Sequence, residues 1–403
     1  ELSALYLQEG VMQAVDDVSG AILCPNLVAE ARKLEMKFFE DMKVYERVPR
    51  AEMIRRKGKI IKTRWIDVNK GDAQTPNYRS RLVGKEFKTH ADDSLYASTP
   101  PLEALRLIMS KAATTDGGQR ELMINDVRRT YFYAQATREL YVELPEEDKE
   151  YGKGDKVGRL RLCLYGTRDA ALNWQETLSR HLLDIGFKRG VGFPIVFFVH
   201  KTKDIWTLVH GDDYFSSGGC ESLSWLESQL SKKYDIKTSR IGHGKHCAPE
   251  GQILNRVVRA TDKGFEIEAD LRHAELIIEQ LGLQTAKGVV TPGTDDPEDA
   301  DDDGDEPLGQ SEASAFRGMA ARCNYLAADR PDIQFPVKEL CREIANPTTR
   351  SMARLKRVGR YLRHRPRLVW CYDFQADGDI LDVSTDANLC GCRVGQVGLR
   401  VAQ

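Results

Sequence analysis

Two adjacent carboxylates, Asp212 and Asp213, follow an apolar run, Ile205-Trp206-Thr207-Leu208-Val209-His210-Gly211, and apolar residues resume at Tyr214-Phe215. Residues 205–210 alternate in the manner of a buried strand. Gly211 and the two aspartates then favour a tight turn. The pattern predicts a β-hairpin with both carboxylates at its tip. Like charges so close repel unless a cation sits on them, and hard oxygen ligands suit Mg²⁺, which readily takes substrate phosphates. A third carboxylate, Asp126, stands near the end of a predicted strand over 121–127. Phosphoryl chemistry with two metal ions about 4 Å apart needs a few carboxylates from neighbouring strands. Tyr131, five residues beyond Asp126, is placed to floor an incoming sugar and clash with a 2′-hydroxyl. The plain alternatives are a solvated turn and a Tyr131 that packs in the core.

The elements that must position these groups alternate along the chain. Helical periodicity marks 26–45, a stretch after Pro100-Pro101, Asp169–Leu183, Glu221–Lys233 and 270–281. Strand-like runs fall at Lys59–Val68 and Tyr78–Phe87 (a basic hairpin), 121–127, 159–165, Ile195–Val199 and Ile205–Val209. Further helices are expected over 312–327, 333–345 and 349–363, with strands at 367–374 and 380–385. This interleaving, followed by a helical appendage, fits an α+β domain of ferredoxin-like type.

With 403 residues the chain has room for two or three domains; 41% hydrophobic and 30% charged residues describe a soluble globular protein. No apolar run approaches the roughly 20 residues of a membrane span. The first residue is Glu1, and the chain reads as a piece of a longer polypeptide. Nine cysteines without a CxxC pair imply reduced thiols in an intracellular protein. His243, His246 and Cys247 hint at a metal site that lacks a fourth ligand. The net charge of −2 hides segregation, because residues 295–306 carry nine acidic side chains and the rest of the chain a net +7. That acidic stretch is expected to be a disordered linker. Residues 43–88 hold fourteen Lys/Arg against five Asp/Glu, and residues 350–367 hold eight and no acid. Such blocks suit phosphate contact.

Read in order, these segments resemble one family, the reverse transcriptases of copia-type LTR retrotransposons. Tyr78-Arg79-Ser80-Arg81-Leu82-Val83-Gly84-Lys85 resembles its Y-K-A-R-L-V-A-K. Asn125-Asp126-Val127 through Tyr131-Phe132 is similar to Q-M-D-V-K-T-A-F-L, and Leu140-Tyr141-Val142 with Pro145 to I-Y-M…P. Leu164-Tyr165-Gly166-Thr167-Arg168-Asp169-Ala170-Ala171-Leu172-Asn173-Trp174 resembles L-Y-G-L-K-Q-A-P-R-A-W, and His210-Gly211-Asp212-Asp213 stands at Y-V-D-D. Arg330-Pro331-Asp332-Ile333, Arg357 to Leu362, and Ser384-Thr385-Asp386-Ala387-Asn388 are similar to later motifs, the last opening a ribonuclease H domain.

The resemblance implies a right-hand polymerase of fingers, ferredoxin-like palm and helical thumb. A helical connection and the start of a ribonuclease H-like sheet would follow. The corresponding bounds are a lead-in at 1–58, the polymerase at 59–294, the acidic linker at 295–310, the connection at 311–375 and a truncated ribonuclease H start at 376–403. It also implies RNA-directed DNA synthesis with Mg²⁺ or Mn²⁺, in which Asp126, Asp212 and Asp213 are catalytic metal ligands. Arg79, Arg81, Lys85, Tyr131 and Gly166 would bind nucleotide, and Lys59, Lys62, Arg64, Arg354, Arg357 and Arg360 would bind nucleic acid. Lys245, after the palm helix, is a candidate to protonate pyrophosphate, and Asp386 a lone ribonuclease H ligand. The implied partners are an RNA or DNA template with primer, deoxynucleoside triphosphates and the remaining Pol segments (integrase, ribonuclease H), with no membrane. The implied location is the cytoplasm, in a virus-like particle, or the nucleus. Three departures stand out: His210 and Gly211 before the aspartates, and Asp169 where the family has glutamine. They keep open a decayed or domesticated copy that binds nucleic acid without chemistry. Gly-Asp-Asp also occurs in RNA-dependent RNA polymerases, a reading that Tyr131 and the tail oppose.

Overall fold

The computed structural model describes residues 14–72, 74–87, 97–114, 120–293 and 305–376. In chain order, a small ribbon of β1 (Ala14–Val15) and β2 (Ile22–Leu23) precedes α1 (Pro25–Met42), β3 (Tyr45–Pro49), α2 (Arg50–Arg55), β4 (Lys59–Ile61), β5 (Thr63–Asn69) and β6 (Tyr78–Gly84). Next come α3 (Leu102–Ala113), β7 (Arg120–Val127), β8 (Leu140–Val142), β9 (Lys156–Leu160), α4 (Ala170–Asp184), β10 (Lys188–Arg189), β11 (Phe197–His200), β12 (Ile205–His210), β13 (Asp213–Gly219), α5 (Cys220–Ser231) and β14 (Ile236–Ile241). The last elements are β15 (Glu250–Ile253), β16 (Arg256–Thr261), β17 (Gly264–Ala269), α6 (Arg272–Gln280), α7 (Gln310–Ala327), α8 (Pro331–Arg342), α9 (Thr349–His364) and β18 (Trp370–Asp373).

A six-stranded antiparallel sheet, ordered β10-β11-β12-β13-β7-β14, forms the middle of the molecule. Its strands are apolar on both faces because both are covered. Met123, Val127, Val209 and Tyr214 pack against Trp174 and Leu178 of α4 and Leu223 and Leu226 of α5. On the opposite face, Leu122, Ile124, Leu208 and Phe215 meet Leu105 and Ile108 of α3 and Val258 and Phe265 of a second sheet, β15-β16-β17-β18. Successive side chains of a strand point to opposite faces, so each half of this pattern feeds one of two cores.

Two expected boundaries dissolve in the packing. Residues 25–49 are no lead-in: β3 pairs with β9 in the sheet β3-β9-β8-β4, and Met36, Phe39 and Val44 share a core with Leu82 and Leu164. Residues 311–364 do not pack alone. Phe316, Val337 and Leu355 of α7, α8 and α9 close around Ala274 and Ile277 of α6 in one core. An amphipathic helix as short as α6 needs such a partner to be stable. The acidic stretch, apart from Asp305 and Glu306, and the ribonuclease H-like start with Asp386 lie outside the described residues. Among the described residues no helix is long and apolar enough to cross a membrane.

Candidate active site

The hairpin forms as the sequence predicts, with a finer division of labour between its aspartates. Gly211 takes φ +60° at the first of two turn positions, a conformation that costs glycine little. Asp212 occupies the second turn position, whereas Asp213 is the first residue of β13, in register with Asp126 on β7. The tip is pinned from two sides. The buried Trp174 indole donates to the Gly211 carbonyl at 2.6 Å, and the Val127 amide donates to the Asp212 carbonyl at 3.0 Å. Sequence reasoning quoted Trp174 only as part of a motif; its role as an anchor depends on where α4 lies.

Register then sets the chemistry of the sheet's end. His210 pairs with Asp213, Asp213 with Asp126, and Asp126 with Lys237. Strand alternation puts these four side chains in a row on one face. Burial, then the charges of Asp212 and Asp126, pushes the Asp213 carboxyl up to about 7. Asp126 is also raised, by burial and then by Asp212, with Arg79, Arg128 and Lys237 opposing. Burial lowers the His210 imidazole, so it adds no positive charge near pH 7. Three neighbouring carboxylates, two of them raised by burial and by a neighbour's charge, are a donor set that fits hard divalent cations.

The basic strand faces this cluster. On β6, Arg79 and Arg81 point one way while Ser80 and Leu82 are buried the other. The Arg81 guanidinium lies 4.7 Å from the Tyr165 ring centre, and Tyr165 lies 4.6 Å from Tyr131. Burial first and Asp212 second raise the Tyr131 phenol, which places that ring beside the carboxylates. Asp126, Asp212, Asp213, Arg79, Arg81 and Tyr131 therefore form one site, with Tyr165 and Lys237 as members that the sequence reading had not singled out.

Other expected residues have different occupations. Gly166, at φ +81°, is a backbone necessity, since a Cβ there would lie 2.0 Å from the Gly84 carbonyl oxygen. Lys85 and Lys62 are exposed beyond the end of β6, joined through their backbones. Lys59 pairs with Glu86 at 2.7 Å and Arg64 with Asp17 at 3.4 Å. The departure at Asp169 is neutralised internally: Arg138 bridges it at 2.5 Å and Glu86 at 2.8 Å, and Asn173 donates to it. Its side chain is 5% exposed and turned into this cluster. Lys245 cannot serve the carboxylates, because β14 runs from Ile236, opposite Val127, to Ile241, opposite Leu122. The loop after it opens at the far end of the sheet, about five residues or ~17 Å from Asp126.

The arginine row of α9 is also committed elsewhere. Arg357 donates to the Gly293 carbonyl and the Thr291 hydroxyl, Arg360 to the Lys287 carbonyl and Arg363 to the Gln284 carbonyl. Arg354 pairs with Glu343. These side chains strap the 284–293 segment across the helix. Replacing Arg357 and Arg360 together with alanine is expected to cost about 1–3 kcal/mol of stability. The salt dependence of nucleic-acid binding should stay unchanged. Parallel thermal melts and binding titrations over a salt series check this, and a flattened salt slope would return the row to the interface.

Residues 44–292 match the family described as Reverse transcriptase (RNA-dependent DNA polymerase). The chain is 26% identical over 315 residues to the retrovirus-related Pol polyprotein from transposon RE1 of Arabidopsis thaliana, covering 76% of this chain and 20% of that protein. It is 25% identical over 348 residues to the Pol polyprotein from transposon TNT 1-94 of Nicotiana tabacum, covering 82% and 25%. The chain thus spans a fifth to a quarter of these relatives. Among solved structures, a foamy viral protease-reverse transcriptase in complex with double-stranded DNA aligns with a TM-score of 0.43 at 10% identity, over 83% of this chain and 48% of that one.

Proposed function

Because the chain belongs to the reverse transcriptase family, we propose that it is an RNA-directed DNA polymerase segment of a copia-type retrotransposon polyprotein, extending a primer 3′-hydroxyl with deoxynucleotides. The observation that carries this reading is the register of Asp213 on Asp126, with Asp212 in the adjoining turn. The connectivity β7-α4-β12-β13-α5-β14, in spatial order β12-β13-β7-β14, supports a ferredoxin-like palm. The sheets built from β3–β6, β8 and β9 are the fingers, and α6–α9 the thumb.

Asp126, Asp212 and Asp213 would hold Mg²⁺ or Mn²⁺. Bound there, such ions supply the charge that stabilises the attacking and leaving oxygens of an in-line displacement. The protein's own part is positioning and electrostatics. Arg79 and Arg81 offer forked donors for triphosphate oxygens. Stacking of Arg81 on Tyr165 fixes the angle of that fork. Tyr131, supported from behind by Tyr165, floors the sugar. A template with primer, deoxynucleoside triphosphates and the remaining Pol segments are the partners this reading requires. The non-catalytic alternative rests on His210, Gly211 and Asp169, and burial of the Asp169 carboxylate against Arg138 removes one of its three grounds.

Primer extension on poly-rA/oligo-dT with Mg²⁺ or Mn²⁺ tests the reading. Incorporation that Asp212→Asn abolishes supports it, and a folded protein that incorporates nothing under any of these conditions overturns it. Tyr131→Ala should relax sugar selection, raising ribonucleotide relative to deoxynucleotide incorporation by roughly tenfold or more, as loss of a steric exclusion worth 1–3 kcal/mol would. Unchanged selectivity would remove Tyr131 from the sugar site.

A further inference from the structure

Strand β7 has chemistry at both ends. Five residues before Asp126, Glu121 is buried and only 5% exposed. Its Oε1 lies 2.9 Å from His246 Nε2. Cys247 Sγ joins them, and the three ligand atoms all lie within 4.8 Å of one another. From α5, Cys220 brings its Sγ to 3.7 Å from the same His246 Nε2. A second thiol, from an element remote in the chain, thus stands beside the histidine of this three-atom cluster. His243 plays no part, since its Nε2 contacts the Thr261 carbonyl at 2.7 Å and its ring packs on Phe265 and Phe374.

The surroundings are shaped for this cluster. A Cβ on Gly244 would fall 2.8 Å from His246 Cε1 and 3.1 Å from Glu121 Oε1. One on Gly242 would crowd Glu121 Cγ at 3.3 Å. Both glycines let the loop close down on the side chains. Arg240 donates to the other carboxylate oxygen, Oε2, at 3.3 Å and is itself held by Glu227 at 3.0 Å. Glu121 is thereby oriented with Oε1 toward the histidine, as outer partners orient metal ligands generally.

We propose that Glu121, Cys220, His246 and Cys247 bind one zinc ion that ties the start of β7, the first turn of α5 and the loop after β14 together. Two thiols, an imidazole and a carboxylate are a tetrahedral zinc donor set, and ligand atoms around such an ion sit roughly 3.5 Å apart, close to the 2.9 and 3.7 Å seen around His246. Binding releases the two thiol protons to solvent, and the neutral His246 imidazole ligates through Nε2 with its one proton on Nδ1. The site is structural: it lies at the opposite end of β7 from the polymerase carboxylates and does not depend on that reading.

The test is metal content of the reduced full chain after zinc loading and desalting, with cobalt substitution as a second readout. The expected results are one zinc per chain, a melting temperature lowered by a chelator, and thiolate-to-cobalt charge transfer in the absorption spectrum. Cys247→Ser and His246→Ala should each lose the metal and the chelator response while keeping the wild-type circular dichroism spectrum. Zinc near zero in the loaded wild-type chain, or full zinc retained by both variants, overturns the proposal. Because no readout is polymerisation, failure here and failure of the polymerase reading are distinguishable.

Discussion

Asp213→Asn should raise the melting temperature of the metal-free protein at pH 8 while lowering primer extension roughly 10²-fold or more. The sign follows from the shift. The Asp213 carboxyl titrates at about 7 in the folded chain against an ordinary 3.8. The folded state therefore holds a proton that the unfolded state has released. Stability from this group is fully present below about pH 4 and is lost as pH rises through about 7. At pH 8 the Asp213 carboxyl is ionised beside Asp212 and Asp126, and asparagine removes that charge. Mg²⁺ should stabilise the wild type more at pH 8 than at pH 6, and the variant much less at either. Melts at the two pH values, with and without Mg²⁺, check this. A variant less stable than wild type at pH 8 without metal would show that the three carboxylates are not in mutual repulsion.

Arg138→Met is the most destabilising single change expected outside the carboxylate site, by about 3–5 kcal/mol at pH 7. Its guanidinium faces the side chains of Glu86 and Asp169, 1% and 5% exposed. Removing it strands two buried anions; among the described residues Glu86 keeps a second cation, Lys59. Hydrogen bonds from Arg138, outweighing burial, hold Glu86 down to about 2, and Asp169 is lowered as well, burial opposing. Both folded values lie below the unfolded ones, so their stabilisation is present above about pH 4 and fades as pH falls toward 2. Chemical denaturation at pH 7 and pH 3 measures it: the wild-type advantage should shrink at the lower pH. Restoration by a second change, Glu86→Gln with Asp169→Asn, would confirm that unpaired charge is the cause.

The fate of individual residues shows where sequence reading ends. The hairpin was legible because its signals are local: alternation over Ile205–His210, then a glycine at the turn. Asp126 was legible as a carboxylate closing an apolar strand. Strands β14, β16 and β17 were missed, because IKTSRI, RVVRAT and GFEIEA mix polar and apolar residues and owe their pairing to β7 and to one another. The arginines of α9 were read as a free basic face because composition does not reveal that the 284–293 carbonyls lie across them. Lys245 failed for a related reason: loop order along the chain does not say at which end of a sheet a loop emerges. The worry over Asp169 likewise needed Arg138, thirty-one residues upstream, to be resolved.

The pairing of β18 with β17 has a mechanical meaning. Residues 272–364 leave the second sheet at one strand and return to its neighbour, so the helical unit is an insertion between adjacent strands. Arg367 ties the returning segment to Glu268, and the Trp370 indole and Arg256 both engage Asp329 at the base of the helices. The Arg106 guanidinium of α3 adds a further tie, donating to the Ala328 carbonyl at 3.0 Å and lying 4.2 Å from the Trp370 ring centre. Ties at several points that do not share one line set the angle of the helices to the sheet as well as their place on it. Where the helices stand is thus decided by the sheet edge that carries them.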